Sequence, residues 1–140
     1  MPRAEASRVL LAARDDVWSF LAEPYHLADW WPGLPAVEPD RRGLTPGARW
    51  QLRGSGRPTL FRRAYATSML LVREVEKPAF AAWHLTAERL DVELRLSGTA
   101  RDRTRADLAV TAAWLLGFPR SLPRRALERL HALCQTAADL

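Results

Sequence analysis

The groups able to do chemistry in this chain are few and far apart. Its three histidines, His26, His84 and His131, fall on three different segments. His26 and Asp29 stand three residues apart in a stretch that reads as helical, a spacing that brings two side chains to one face. A zinc site needs at least three protein ligands, and no third donor accompanies this pair, so it reads as a solvated helix face. Gly54-Ser55-Gly56 lacks the flanking glycines and the lysine of a nucleophile elbow or phosphate loop. It reads as a hairpin turn. Asp91 and Glu93 are carboxylates two residues apart, but the alternation around them puts both on a wet strand face, where glycosidase-like pairing has little support. Cys134 is the only cysteine. It falls on an apolar helical stripe, where a thiol acts as a small hydrophobe rather than a nucleophile. A lone cysteine forms no intramolecular disulfide, which fits a reducing compartment.

The segment Leu60 to Glu76 raises a sharper question. It is too long for an average strand, and no single alternation fits it, so it reads as two strands or one strand carrying a bulge. Phased on Val75, the segment turns Arg63, Tyr65, Thr67 and Arg73 inward with Met69 and Leu71. A buried guanidinium would then need an anionic partner, which a ligand carboxylate could supply. Phased on Val72, the same residues face solvent. Both phases remain open on the sequence alone.

The elements that must position these groups are easier to read. Ser7 to Ala13 is a short apolar run of strand length. Asp15 and Asp16 favour a helix start, and Val17, Phe20 and Leu21 follow at helical spacing with Trp18 beside them. Pro24 ends that helix and opens a second, in which Leu27, Trp30 and Trp31 share a side until Pro32-Gly33. The period then changes to two. Ala48, Trp50 and Leu52 alternate with Arg49, Gln51 and Arg53, and Phe80 to Thr86 forms another strand after Lys77-Pro78. Leu90, Val92, Leu94 and Leu96 face one way and Arg89, Asp91, Glu93 and Arg95 the other. Leu108, Val110, Ala112 and Trp114 repeat the pattern, as antiparallel strands with one wet face do. Ser121 and Pro123 suit the start of a last helix. There Leu122, Ala126, Leu127, Leu130, Leu133, Cys134 and Ala137 form one stripe, opposite Arg124, Arg125, Glu128 and Arg129.

Composition bounds the rest. The chain has 140 residues, 48% of them hydrophobic and 26% charged, which is the balance of one ordinary globular domain spanning 1–140. Disorder, collagen-like sequence and a disulfide scaffold are excluded. The net charge of +5 comes from 21 basic residues, of which only Lys77 is lysine, and the chain has no asparagine. Such a skew resembles GC-rich codon usage. Arg41-Arg42, Arg62-Arg63, Arg101/Arg103/Arg105 and Arg124-Arg125 are scattered rather than gathered on one stripe, so no nucleic-acid partner is expected. Met1 to Val9 lacks the apolar region of a signal peptide, and the longest apolar run, Leu108 to Phe118, is about half of the ~20 residues a bilayer span requires. A cytoplasmic chain without a transmembrane segment is the expectation.

The order strand, two short helices, about six antiparallel strands and a long helix resembles the helix-grip fold of the START-like (SRPBCC) superfamily, in particular its polyketide cyclase/dehydrase branch. The resemblance runs from about Ala6 to Leu133. It rests on Ala13-Arg14-Asp15-Asp16-Val17-Trp18 at the first helix, Glu23-Pro24 through Trp30-Trp31-Pro32 around the second, and Gly47-Ala48-Arg49 opening a strand. Val75-Glu76-Lys77-Pro78 followed by Trp83-His84-Leu85 completes it. The fold expected is α+β, with a curved antiparallel sheet of six to seven strands around the C-terminal helix.

That resemblance implies a cavity between sheet and helix that binds a lipid-like or polyketide-like molecule. Alternation supplies a lining independently: Trp50, Leu52, Val92, Leu94, Val110 and Trp114 from strands, Leu127 and Leu130 from the last helix. The family's phase adds Trp83 and Leu85, leaves His84 outward and sets Trp31 near the mouth. Such an apolar lining suits a small hydrophobic ligand, although aromatic stripes also fill closed cores. No cofactor or metal is expected, and a homodimer is left open. Two functions compete. A carrier needs only the cavity, whereas a cyclase or dehydratase needs an acid–base group within reach of the substrate. Tyr65, Arg63, Arg73 or an inward His84 would have to provide it. A third reading is a helper module that docks on another protein through its basic surface.

Overall fold

The computed structural model describes residues 2–34, 36–53, 67–112 and 118–138. Trp114, Arg63, Tyr65 and the Gly54-Ser55-Gly56 turn lie outside the described residues.

Strand β1 (Arg3–Leu10) leads into helix α1 (Arg14–Ala22), a 3-10 turn (Pro24–His26) and the short helix α2 (Leu27–Trp30). Strands β2 (Ala36–Glu38), β3 (Arg49–Arg53), β4 (Thr67–Glu76), β5 (Phe80–Leu85), β6 (Leu90–Ala100) and β7 (Arg103–Ala112) follow, and helix α3 (Leu122–Ala138) closes the fold. The strands make one curved antiparallel sheet in the order β1-β7-β6-β5-β4-β3-β2. The expected helix-grip architecture is present, with seven strands among the described residues.

Local chemistry explains most boundaries. Asp15 and Asp16 occupy the first turn of α1, where carboxylates meet the positive end of the helix dipole. Pro24 cannot continue that helix. Glu23 caps the turn that follows, accepting from the Tyr25 N–H at 3.4 Å. The first strand begins and ends earlier than the apolar run Ser7 to Ala13 suggests. Its eight residues pair with β7 from Arg3↔Thr111 to Leu10↔Thr104, and only Leu10 is buried. Backbone pairing at a sheet edge, rather than an apolar face, carries this strand, so a hydrophobicity reading shifts it.

Register places the inward side chains in rows, because directly opposed residues share a face. One row runs Trp50, Leu70, Leu85, Leu90, Ala112, and the next runs Val72, Trp83, Val92, Val110. A third runs Ala81, Leu94, Leu108, Ala6. These rows meet Leu122, Ala126, Leu127 and Leu130 of α3 in one core. The strand β4 settles its own phase. Ser68, Leu70 and Val72 are buried, Arg73 is exposed, and the register shifts between Val72 and Glu74. A bulge adds one residue to the strand, which is why no single alternation fits it. The inward Arg73 allowed by the Val75 phase is thereby corrected, and it offers nothing to a ligand.

Candidate functional site

Ten of the eleven residues that the sequence nominates are described, and all ten are buried. Trp31, Trp50, Leu52, Trp83, Leu85, Val92, Leu94, Val110, Leu127 and Leu130 belong to one contiguous core. Sheet register brings Trp83, Val92 and Val110 side by side. Trp31, expected near a mouth, is packed into an aromatic cluster.

That cluster is built by α2 and β5. Trp30 ends α2, Trp31 follows it as the capping residue with its N–H donating to the Leu27 carbonyl at 2.8 Å, and Trp83 stands on β5. Trp30 meets Trp31 edge-to-face with ring centroids 5.5 Å apart. Trp83 completes the triad at 6.2 Å from Trp30 and 6.3 Å from Trp31. The electron-poor ring edge on the electron-rich face makes this geometry favourable, at about 0.5–1.5 kcal/mol per pair beyond burial.

Beside the triad lies a cavity of about 20 Å³, walled by Trp18, Leu21, Leu27, Trp30, Leu44, Trp50, Leu70, Ala81, Trp83 and Leu94. Trp50, Trp83 and Leu94 were nominated from the sequence. Trp18 and Trp30 were legible as helix-face aromatics, whereas Leu44 sits on the β2–β3 loop, where no periodicity marks it. The two strand indoles differ in their polar ends. Trp50 Nε1 donates to the Gly43 carbonyl at 3.3 Å. Trp83 Nε1 is buried without a hydrogen-bond partner, alone in this among the buried side-chain nitrogens and oxygens of the described residues.

The other described interior polar groups are satisfied. Thr104 Oγ1 donates to the Ala12 carbonyl at 2.8 Å, tying β7 to the start of α1. Ser68 Oγ donates to Glu88 at 3.0 Å and accepts from the Ala87 N–H at 3.2 Å. His84 faces outward as expected, donating from Nδ1 to Asp91 at 2.9 Å across the β5–β6 pair. His26 donates from Nδ1 to the Phe20 carbonyl at 2.8 Å and stacks on the Phe20 ring at 4.1 Å. It closes the turn after α1 instead of pairing with the exposed Asp29. Among the described residues no three His, Cys, Asp or Glu side chains gather as a metal site would require.

A second concavity was not foreseen. A groove of about 570 Å³ runs between the β1–α1 junction, α1, the β6–β7 turn and α3, lined by Leu11, Ala12, Ala13, Asp16, Val17, Phe20, Asp102, Leu130, Leu133 and Cys134. The apolar stripe of α3 outruns the core: Leu130 is fully buried, but Leu133 and Cys134 are half-buried. Burial raises the Cys134 thiol above its ordinary range, so it stays protonated at neutral pH.

No family model matches the chain, and no curated protein matches its sequence. Solved structures do match its architecture. The XoxI protein of Bacillus cereus aligns over 99% of each chain with a TM-score of 0.72 and 11% identity. The Aha1 dimer of Colwellia psychrerythraea aligns over 97% of this chain and 96% of its own, at 0.65 and 12%. BexL, a di-domain ARO/CYC from the BE-7585A biosynthetic pathway, aligns over all of this chain at 0.73 and 15%, and this chain spans 48% of it. The likeness is one of fold: this chain has the helix-grip architecture that these proteins share.

Proposed function

We propose that this chain binds and carries a small hydrophobic molecule, lipid-like or polyketide-like, in its interior, at a space that lies against α1 and α2 rather than against α3, where the resemblance set it. The tryptophan-walled cavity carries the reading. Four indoles and aliphatic side chains from both short helices, the β2–β3 loop and four strands converge on a space they leave unfilled. Protein cores close such gaps where they can, because each void forfeits dispersion contacts. An apolar pocket with one or two placed polar groups is the usual form of a small-molecule site.

A cyclase or dehydratase acting in the same interior is the runner-up, favoured by the likeness to an ARO/CYC protein. Such chemistry requires a proton donor or acceptor beside the substrate. Among the described residues the fully interior polar side chains are Ser68 and Thr104, both already hydrogen-bonded within the protein, and Arg73 and His84 point away. Carriage therefore has the stronger support.

Native mass spectrometry of the purified chain, followed by denaturing extraction, tests both readings. A stoichiometric apolar adduct recovered unchanged after incubation is expected. Chemical conversion of that molecule would transfer the assignment to the enzyme. A clean ligand-free mass that persists with added hydrophobic probes would overturn the binding reading. The same spectrum counts copies and so distinguishes a monomer from the homodimer that the sequence leaves open.

A further inference from the structure

The unpartnered N–H of Trp83 says what kind of atom the interior lacks. An indole nitrogen donates one hydrogen bond and accepts none, and Trp83 is 5% exposed with that donor unmet. Buried donors left without acceptors are rare because each forfeits the bond it made with water in the unfolded chain. The adjoining cavity, about 20 Å³, holds one oxygen-sized group. Four candidates can be weighed by the bonds and charge each brings. A water molecule is held by two to four polar partners, and the wall side chains, all tryptophan, leucine or alanine, offer no acceptor for either of its protons. A hydroxyl would satisfy Trp83 but bury its own proton unmet. A carboxylate would bring a full charge into an apolar wall for one neutral hydrogen bond, and desolvation makes that unfavourable. A neutral carbonyl oxygen accepts one bond and needs nothing further.

We infer that the tryptophan-walled cavity is a subsite for the neutral carbonyl oxygen of an otherwise apolar ligand, a ketone, aldehyde, ester or quinone, with Trp83 Nε1 as its hydrogen-bond donor. This rests on the binding reading above and narrows it to a chemical class. Entry is past Leu44, the one wall residue that is half-buried instead of buried and that stands on a loop.

The test compares three near-isosteric probes on the full chain by titration calorimetry: 2-acetylnaphthalene, 2-isopropenylnaphthalene and 1-(2-naphthyl)ethanol. The ketone is expected to bind about tenfold more tightly than the alkene, the effect of one restored bond to a buried donor, and more tightly than the alcohol. Trp83→Phe removes the donor and is expected to equalise ketone and alkene. If that variant fails to fold, the indole proton of Trp83 in the ¹H–¹⁵N spectrum of the native chain decides, moving downfield with the ketone alone. Equal binding of ketone and alkene to the native chain would overturn the carbonyl inference and leave hydrophobic binding standing. Failure of all three probes at millimolar concentration would bring down both. A ketone preference that survives Trp83→Phe, or a Trp83 indole proton whose resonance does not move at saturating ketone, would also overturn it.

Discussion

The interior cavity and the outer groove are opposites in what they offer. The groove has about 570 Å³, within the range of small-molecule sites, yet its polar groups are provided for: Asp102 pairs with Arg103 at 3.1 Å, and Asp16 is exposed to water. The cavity has about 20 Å³, and Trp83 in its wall carries a buried donor with no acceptor. Empty space open to water costs a protein little. An unmet buried N–H costs on the order of 1–3 kcal/mol. Volume marks where something fits, whereas an unmet group marks where something is missing, and here the two criteria select different regions.

The largest effect expected from perturbing the cavity comes from Leu94, which lines it and is 2% exposed. Leu94→Arg places an unpaired charge in the core, at a cost of several kcal/mol, and should abolish cooperative unfolding. Its neighbour Arg95 is exposed, with its guanidinium 4.8 Å above the centre of the Phe80 ring. Arg95→Leu forfeits only that contact, about 0.5–1 kcal/mol. Equal melting temperatures for the two variants would break the assignment of inner and outer faces on which the cavity depends.

Truncation on either side of the comparison should give smaller, unequal losses. Trp83→Ala removes a buried indole and part of an aromatic triad, and about 3–5 kcal/mol should be lost in denaturant unfolding. Leu133→Ala in the groove removes a half-buried side chain whose outer surface already meets water, so about 1 kcal/mol is expected. A reversal of that order would mean that the groove, and not the cavity, is the structural centre. Trp83→Ala should also enlarge the cavity enough to admit benzene or xenon, as apolar voids do.

Where the sequence was legible, one periodicity governed both faces. Leu90 to Leu96 alternates without fault in the sequence and in the structure, because β6 lies inside the sheet with a partner on each side. The end strand β1 was misplaced by several residues because its position is set by pairing with β7 and its side chains scarcely enter the core. β4 was ambiguous for a physical reason, since a bulge at Arg73 reverses the phase midway. The cavity was half legible. Trp50 and Leu94 follow from alternation and Trp83 from the phase that the resemblance implies, but Leu44 is brought in by a loop whose path depends on left-handed backbone at Arg41, Gly43 and Gly47. The groove was not legible at all. The α3 stripe from Leu122 to Cys134 looks uniform, and only the structure shows that Leu133 and Cys134 extend beyond the sheet they would cover.

Cys134 offers the smallest perturbation and a direct way to set the two regions against each other. Its thiol is held protonated by burial, so alkylation by iodoacetamide at pH 7.5 should be slow in the folded chain and fast in the unfolded one. The same shift fixes a pH dependence. The folded chain keeps a proton that the unfolded chain gives up, so the stability due to this group is whole below the unfolded thiol value, about 8.5. It is lost as pH rises from there through the higher folded value. Denaturant midpoints of the native chain and Cys134→Ser should diverge in that direction, the native chain losing more above pH 8.5. Saturation with 2-acetylnaphthalene should leave the Cys134 alkylation rate unchanged, because a ligand held at Trp83 does not cover the groove. A tenfold protection would place the ligand against α3 and α1, and the larger concavity would then be the site.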